Sequence, residues 1–522
     1  VIGAVCRGAA SFLAVATALW GAMPACGDEF VDRVNAPFKA IRPELRSDTV
    51  LLPLLAKMET PPKFLEDSQR ARLLPAGGSQ WSAAEAWAMG EPQRAVLKAI
   101  HDVTQEEDYR VAFGFGQNYG TQGVPVAQIR DKMYTELGDP PLLAGGQFLW
   151  LPSIRNTHSL VNIEATRLAA EGKPADAIDL LVDWTFVGRQ LADREFKVEM
   201  HAGLIIMSAS LERVRDIAYE DSRGPGQLTA ERLQAVIDRL DERKFIGIER
   251  LTLPSGDLIA AEQVIARVYV ERNGVNKATF GQTLARLRSS ERPLRLLGEA
   301  ARWDAIADRQ MNWFDVKETL SRVANDWTSR WTLDWFDPRM AQAFEYRRVS
   351  LGSSAAAVTA TLADLGELFE LRQIVATEAM ATRHALAVYC AKLDGGQWPP
   401  TLAAVRPIWI TQLEADPFNP RRDRGAKPPL EYFVPIRDTR AQFGDREDPR
   451  PHEMNIVTSE GNFARRIGDD QFVLYSVGGN GGKDWARRVQ NTHENVANAD
   501  YLVWPPVLSL QRQHLVETGQ IK

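Results

Sequence analysis

Near residue 352 the spacing of apolar residues changes, and no single layer of secondary structure accommodates both sides of that change. From residue 28 to about 355 apolar positions recur every three to four residues, the period of an α-helix. Pro- and Gly-rich breaks divide this stretch: "LPAGGSQ" (74–80), "GDPPLLAGG" (138–146) and "DSRGPGQ" (221–227). Beyond it, a helix predicted from Ala355 to Leu393 stops at Gly395–Gly396, because glycine accepts left-handed backbone at a helix end. Short strand-like runs follow: "LEYFVP" (430–435), "MNIVTS" (454–459), "QFVLYSVG" (471–478) and "DYLVWPP" (500–506). The order predicts a mainly α helical bundle or hairpin region, then an α+β domain with one long helix on a small antiparallel sheet. The predicted division is 28–355 and 356–522, with a solvated loop at 436–453.

Inside the helical region, Ala165, Leu168 and Ala169 precede a turn at Gly172–Lys173–Pro174, and Ala177, Ile178, Leu181 and Val182 follow it. Small residues at this spacing let two antiparallel helices approach closely, as in a tetratricopeptide hairpin at about 160–220. Only one such unit is visible, whereas an array needs about three. A further helix is predicted after Thr229, a capping residue, with Leu233, Val236, Ile237 and Leu240 on one face. Aromatics crowd between Trp303 and Phe344. They read as core between helices, in preference to a glycan-stacking platform.

The first 27 residues read as a signal peptide. Arg7 precedes an apolar run of about 15 residues, shorter than the ~20 needed to span a bilayer. Small residues Ala25, Cys26 and Gly27 suit cleavage before Asp28. A second reading makes Cys26 a lipid anchor, and a third makes the segment a buried helix. The expectation is an exported protein of the periplasm or cell surface, touching membrane only through that anchor. Three cysteines leave no disulfide framework, and Cys390 reads as a core residue.

The net charge of −6 argues against a nucleic-acid partner, which needs a clustered basic surface. There is no Gly-x-Ser-x-Gly elbow and no His-Glu-x-x-His helix, and the seven histidines are scattered. "FGFGQNYG" (113–120) reads as a turn. In "SVGGNGGKD" (476–484) the Gly482–Lys483 pair precedes Asp484, not the Ser or Thr a phosphate loop requires. Between Ser476 and Asp500 oxygen-bearing residues are frequent: Asn480, Asp484, Asn491, Glu494 and Asn498. They suit either a calcium loop or a polar hairpin loop.

The ordered set "RHALAVYCAKLDGGQWPPTLAAV" (383–405), "DPFNP" (416–420), "LEYF" (430–433), "FVLYSVGGNG" (472–481) and "ADYLVWPP" (499–506) resembles the C-terminal region of the type II secretion major pseudopilins. The resemblance implies a pilin-like domain whose last loop holds a structural calcium. By position Leu474, Ser476, Asn480 and Asp500 match its ligands, although Asn480 replaces an aspartate and only one acidic residue remains at Asp500. Pseudopilins polymerise through a processed, hydrophobic N-terminal helix. Here the comparable helix is mid-chain, so that route is closed. The helical part resembles uncharacterised bacterial envelope proteins that join a helical-hairpin region to such an end. The expected function is therefore a non-enzymatic envelope scaffold with a protein partner. The alternatives are an exported carboxylate-dependent hydrolase of glycan or peptide, or an accessory component of a secretion or surface assembly.

Overall fold

The computed structural model describes residues 28–521, apart from 105–111, 242–245, 271–273, 290–292, 334, 420–427, 439–449, 459–460, 479 and 490–498. The expected signal peptide, Cys26 included, lies outside the described residues, as does most of the loop expected at 436–453. The chain is mainly helical up to residue 395 and then turns to short strands.

Three helices form its centre: α1 (Leu151–Ala170), α2 (Pro174–Ala192) and α3 (Lys197–Arg223). Pro174 opens α2, where a missing N–H costs nothing. Gly172, at φ +77°, lets the chain reverse before it. Ala177, Ile178, Leu181 and Val182 are all buried, as the hairpin reading requires. Against α3, α2 comes closer still. A Cβ on Gly203 would stand 2.5 Å from both the Gly188 carbonyl oxygen and the Ala192 nitrogen. Next comes α4 (Ala230–Arg239), capped as expected by Thr229, whose Oγ1 accepts the Arg232 N–H at 3.4 Å. In α5 (Trp313–Trp331), Trp327 and Trp331 are buried, against Tyr346 and Phe369 respectively. Trp327 and Trp331 are thus core, Trp303, Trp313, Trp335 and Phe344 pack half-buried against it, and Phe314 is exposed.

The long helix predicted from Ala355 is interrupted. A single turn, Ala356–Thr359, precedes α6 (Gly366–Gly395). Asp364 Oδ1 accepts the Gly366 N–H at 2.9 Å, so its side chain competes with helical bonding at the break. Gly396, at φ +73°, ends α6 in the expected left-handed cap. The large hydrophobic core runs without a gap from Leu51 to Trp504 and includes the buried face of α6.

Beyond residue 395 the described strands form two three-stranded sheets where one antiparallel sheet was expected. They are β1 (Glu431–Phe433), β2 (His452–Thr458), β3 (Gly461–Ile467), β4 (Val473–Ser476), β5 (Arg488–Val489) and β6 (Tyr501–Trp504). One sheet has the order β1-β4-β6, all antiparallel. The other has β3-β2-β5, with β5 parallel to β2. A bridge from Val489 to Asp500 joins them. Successive residues of β4 point to opposite sides: Phe472 and Leu474 into the large core, Val473 and Tyr475 into a second, smaller one. A last helix, α7 (Val507–Glu517), lies across β3 and α3. It was not anticipated.

Candidate functional site

The glycine-rich loop does not gather the residues expected to hold calcium. Leu474 sits within β4, paired to Tyr432 and Trp504. Ser476 shares its face, and its hydroxyl donates to Asp416 Oδ1 at 2.8 Å. Asp500 continues the opposite face, beside Leu502, where its Oδ2 accepts the Ala486 N–H at 2.7 Å. Asn480 is exposed, and its Oδ1 accepts the Gly482 N–H at 2.8 Å. Pleating therefore separates Ser476 from Asp500, and the side chains of Ser476, Asn480 and Asp500 are not brought together. Among the described residues no group of three His, Cys, Asp or Glu side chains is placed to hold a metal ion. Asn491, Glu494 and Asn498 lie outside the described residues. Burial pushes the Asp416 carboxyl up to about 6 and the Asp500 carboxyl up to about 7, with the Asp484 charge adding to the latter. Lys483 is 2.7 Å from Glu431, and its loop leads into β5, not into a helix that would cradle phosphate.

Buried charge is concentrated instead along α3. Arg215, fully buried, pairs with Glu378 of α6 at 2.5 Å and donates to Thr382 Oγ1 at 2.6 Å and to the Val503 carbonyl at 3.2 Å. The Tyr501 hydroxyl donates to the same Glu378. Next along α3, Asp216 accepts from Ser509 and Arg512 of α7 and from Arg213. Further on, Asp221 accepts the Tyr389 hydroxyl at 2.9 Å and the Gln227 N–H at 2.8 Å. In the helical region, Arg194 pairs with Glu199 at 2.9 Å and lies on the rings of Phe38 and Tyr119. The "FGFGQNYG" stretch supplies Phe115 and Tyr119 to that site, so it is a buried extended segment and not a surface turn. Burying charges is costly unless partners are supplied, and here other elements supply them: α6 and β6 to Arg215, and α7 to Asp216.

Where α3 ends, the surface opens into two adjoining clefts of about 470 and 670 Å³. Both contain Arg223, Asp470 and Gln471. The first runs beside β3 and is closed by Tyr219 and by Leu510 and Glu517 of α7. The second holds Lys392, Trp398 and Arg437. Trp398 is fixed by its indole N–H, which donates to the Asp470 carbonyl at 3.1 Å. Lys392 Nζ stands 4.0 Å from the centre of that ring. Burial lowers the Lys392 pKa, against the pull of the Asp470 charge. Arg223 lies over the Tyr219 ring at 5.6 Å. Neither cation forms an ion pair with a described residue. On the exposed turn between β3 and β4, Asp470 lines both clefts and Asp469 lines the second. The carboxyls buried in the core, Glu199, Asp216 and Glu378, border neither cleft.

Sequence reading did not single out Arg223, Lys392 or Asp470. The available signal was slight: a cation in the last turn of each of two long helices, and Gly468-Asp469-Asp470 between two apolar runs. No family model, curated protein or solved structure matches the chain.

Proposed function

We propose that the chain is an exported, non-enzymatic envelope protein, a helical scaffold for a protein partner that carries a pseudopilin-like C-terminal module. The observation that supports this most is how charge is distributed. The deeply buried carboxylates are consumed by internal arginines, tyrosines and backbone amides, while the clefts are open and lined by exposed side chains of both signs. A broad, polar, open groove suits a macromolecular partner better than bond cleavage, for which a pair of carboxylates about 5–9 Å apart in a closed site is needed. The α3–α6 charge pairs hold the module on the scaffold as a fixed part of the surface presented.

Fractionation of native cells followed by cross-linking mass spectrometry tests the reading. The protein is expected in the envelope fraction, cross-linked to a partner polypeptide. Recovery from the cytosol removes the export claim. Hydrolysis of glycan or peptide by the purified protein, lost in Asp470→Asn, replaces the scaffold with an enzyme. Calcium at the 476–482 loop rests on the resemblance. A melt in calcium and then in chelator decides it, since saturating an ion 100-fold above its Kd adds about 2.7 kcal/mol and equal melting temperatures dismiss it.

A further inference from the structure

The second sheet ends at β3, and β3 ends in the open. Its seven residues pair with β2 in unbroken register, from Ile467 opposite His452 to Gly461 opposite Thr458. On the other side no strand follows. Among the described residues, the outward N–H and C=O groups from Asn462 to Ile467 have no backbone partner there. The first cleft touches Ala464, Arg465, Arg466, Ile467 and Gly468 in succession. Side chains of a strand alternate between faces, so a cavity met by consecutive residues lies along the edge.

Exposed edges are normally blunted by charged side chains, proline, a bulge, a short strand or a covering helix or loop. β3 contains no proline, and its register with β2 shows no bulge. Its two arginines are drawn to partners within the chain, Arg465 to Glu517 at 2.7 Å and Arg466 to Glu453 at 3.4 Å. Charges without an ion pair to a described residue stand farther along the groove: Arg223 and Lys392 as cations, Asp469 and Asp470 as anions.

We propose that the free edge of β3 takes an extended peptide segment as an added strand, with an acidic side chain between Arg223 and Lys392 and a basic neighbour at Asp469. Backbone pairing with a sheet edge supplies affinity, and flanking side-chain contacts supply specificity. A polyanion meets the two aspartates and a polycation meets the two free cations, so a strand of mixed charge is the complement. This inference rests on the scaffold reading and names the kind of partner it takes.

The test pans the purified full chain against a phage library of random seven-residue peptides, and the enriched sequences are synthesised. Alternate amides of each peptide are then N-methylated in two complementary sets. One set is expected to weaken binding more than tenfold and the other to leave it unchanged, because only one edge of an added strand bonds to β3. Arg223→Glu at the surface with Lys392→Glu at a half-buried position, their folding checked by circular dichroism, is expected to weaken acidic peptides at least tenfold. No enrichment, equal effects of the two methylated sets, or indifference to the charge reversal overturns the proposal. So does a concentration-dependent dimer that the peptides do not compete with, which assigns the edge to a second copy. If the cross-linked envelope partner binds the charge-reversed protein normally, the edge proposal falls and the scaffold stands. If peptides bind but the envelope yields no partner, the scaffold reading falls instead.

Discussion

His158 shows how a single residue converts burial into pH dependence. It is buried, its Nδ1 accepts the Trp184 indole N–H at 2.9 Å, and burial pushes its pKa down to about 3. An unfolded histidine titrates near 6.5. Between those values the unfolded chain binds a proton that the folded chain does not, so stability is retained above pH 6.5 and lost as pH falls toward 3. His384, likewise buried and pushed down to about 3, acts in the same direction. Asp257, raised to about 6 by burial, opposes it: its proton favours the fold below about 4, and that contribution is lost as pH rises through 6. Comparing a variant with the parent isolates one site. His158→Gln is expected to lower the melting temperature at pH 7.5 and to flatten its fall between pH 7 and 4.5; an unchanged slope contradicts the assignment. No residue pattern announces such a site. His158 is a lone histidine in a helical stretch, and only the arrival of Trp184 from α2 makes it an acceptor.

At the level of elements, the helix pair α1–α2 was legible because small residues and a Gly-Lys-Pro turn both encode it. The contact between α2 and α3 was not, although it is tighter. Gly188 and Gly203 lie in otherwise ordinary helical stretches, and glycine in a helix interior reads as a weakness of about 1 kcal/mol relative to alanine. Here that loss is offset by close packing. Gly203→Ala sets that propensity gain against overpacking of about 1–3 kcal/mol, with backbone atoms as the obstruction. Net destabilisation is expected, and Gly203→Leu should be worse; denaturant midpoints measure both, and a stabilised Gly203→Ala sinks the argument. Among the elements missed, two were hidden for separate reasons. α7 hides behind Trp504-Pro505-Pro506, which reads as a strand exit, yet its N-cap is Pro506. β3 carries charge at Arg465 and Arg466, and its apolar residues Phe463 and Ile467 stand four apart, so neither strand nor helix period dominates.

For the molecule as a whole, the change of spacing near residue 352 precedes α6, helices give way to strands only after residue 395, and the spacing does not tell how the two regions are held. Charged residues on α3 and a lone glutamate within the apolar run of α6 were the available clue. Charged residues survive in such positions when they meet each other. Arg215→Met alone, or Glu378→Leu alone, is expected to cost about 3–5 kcal/mol, because each strands a buried charge. The double substitution should recover most of it. Far-UV dichroism, which follows the helices, and tryptophan fluorescence, which includes Trp504, should report one coincident transition. Two separated transitions, or additive single effects, would show that the pair does not join the two regions.

The α7 contacts also fix an order of events. Arg512 donates to the Arg72 carbonyl and to Asp216, and Ser509 donates to Asp216. Until the ribosome has made residue 512, Asp216 sits on α3 without these donors, and the groove beside Arg72 lacks its cover. A nascent chain therefore makes these α3 contacts last, across a very long sequence separation, and such contacts form slowly. Before then, Arg213 of the same helix is the buried partner left to Asp216.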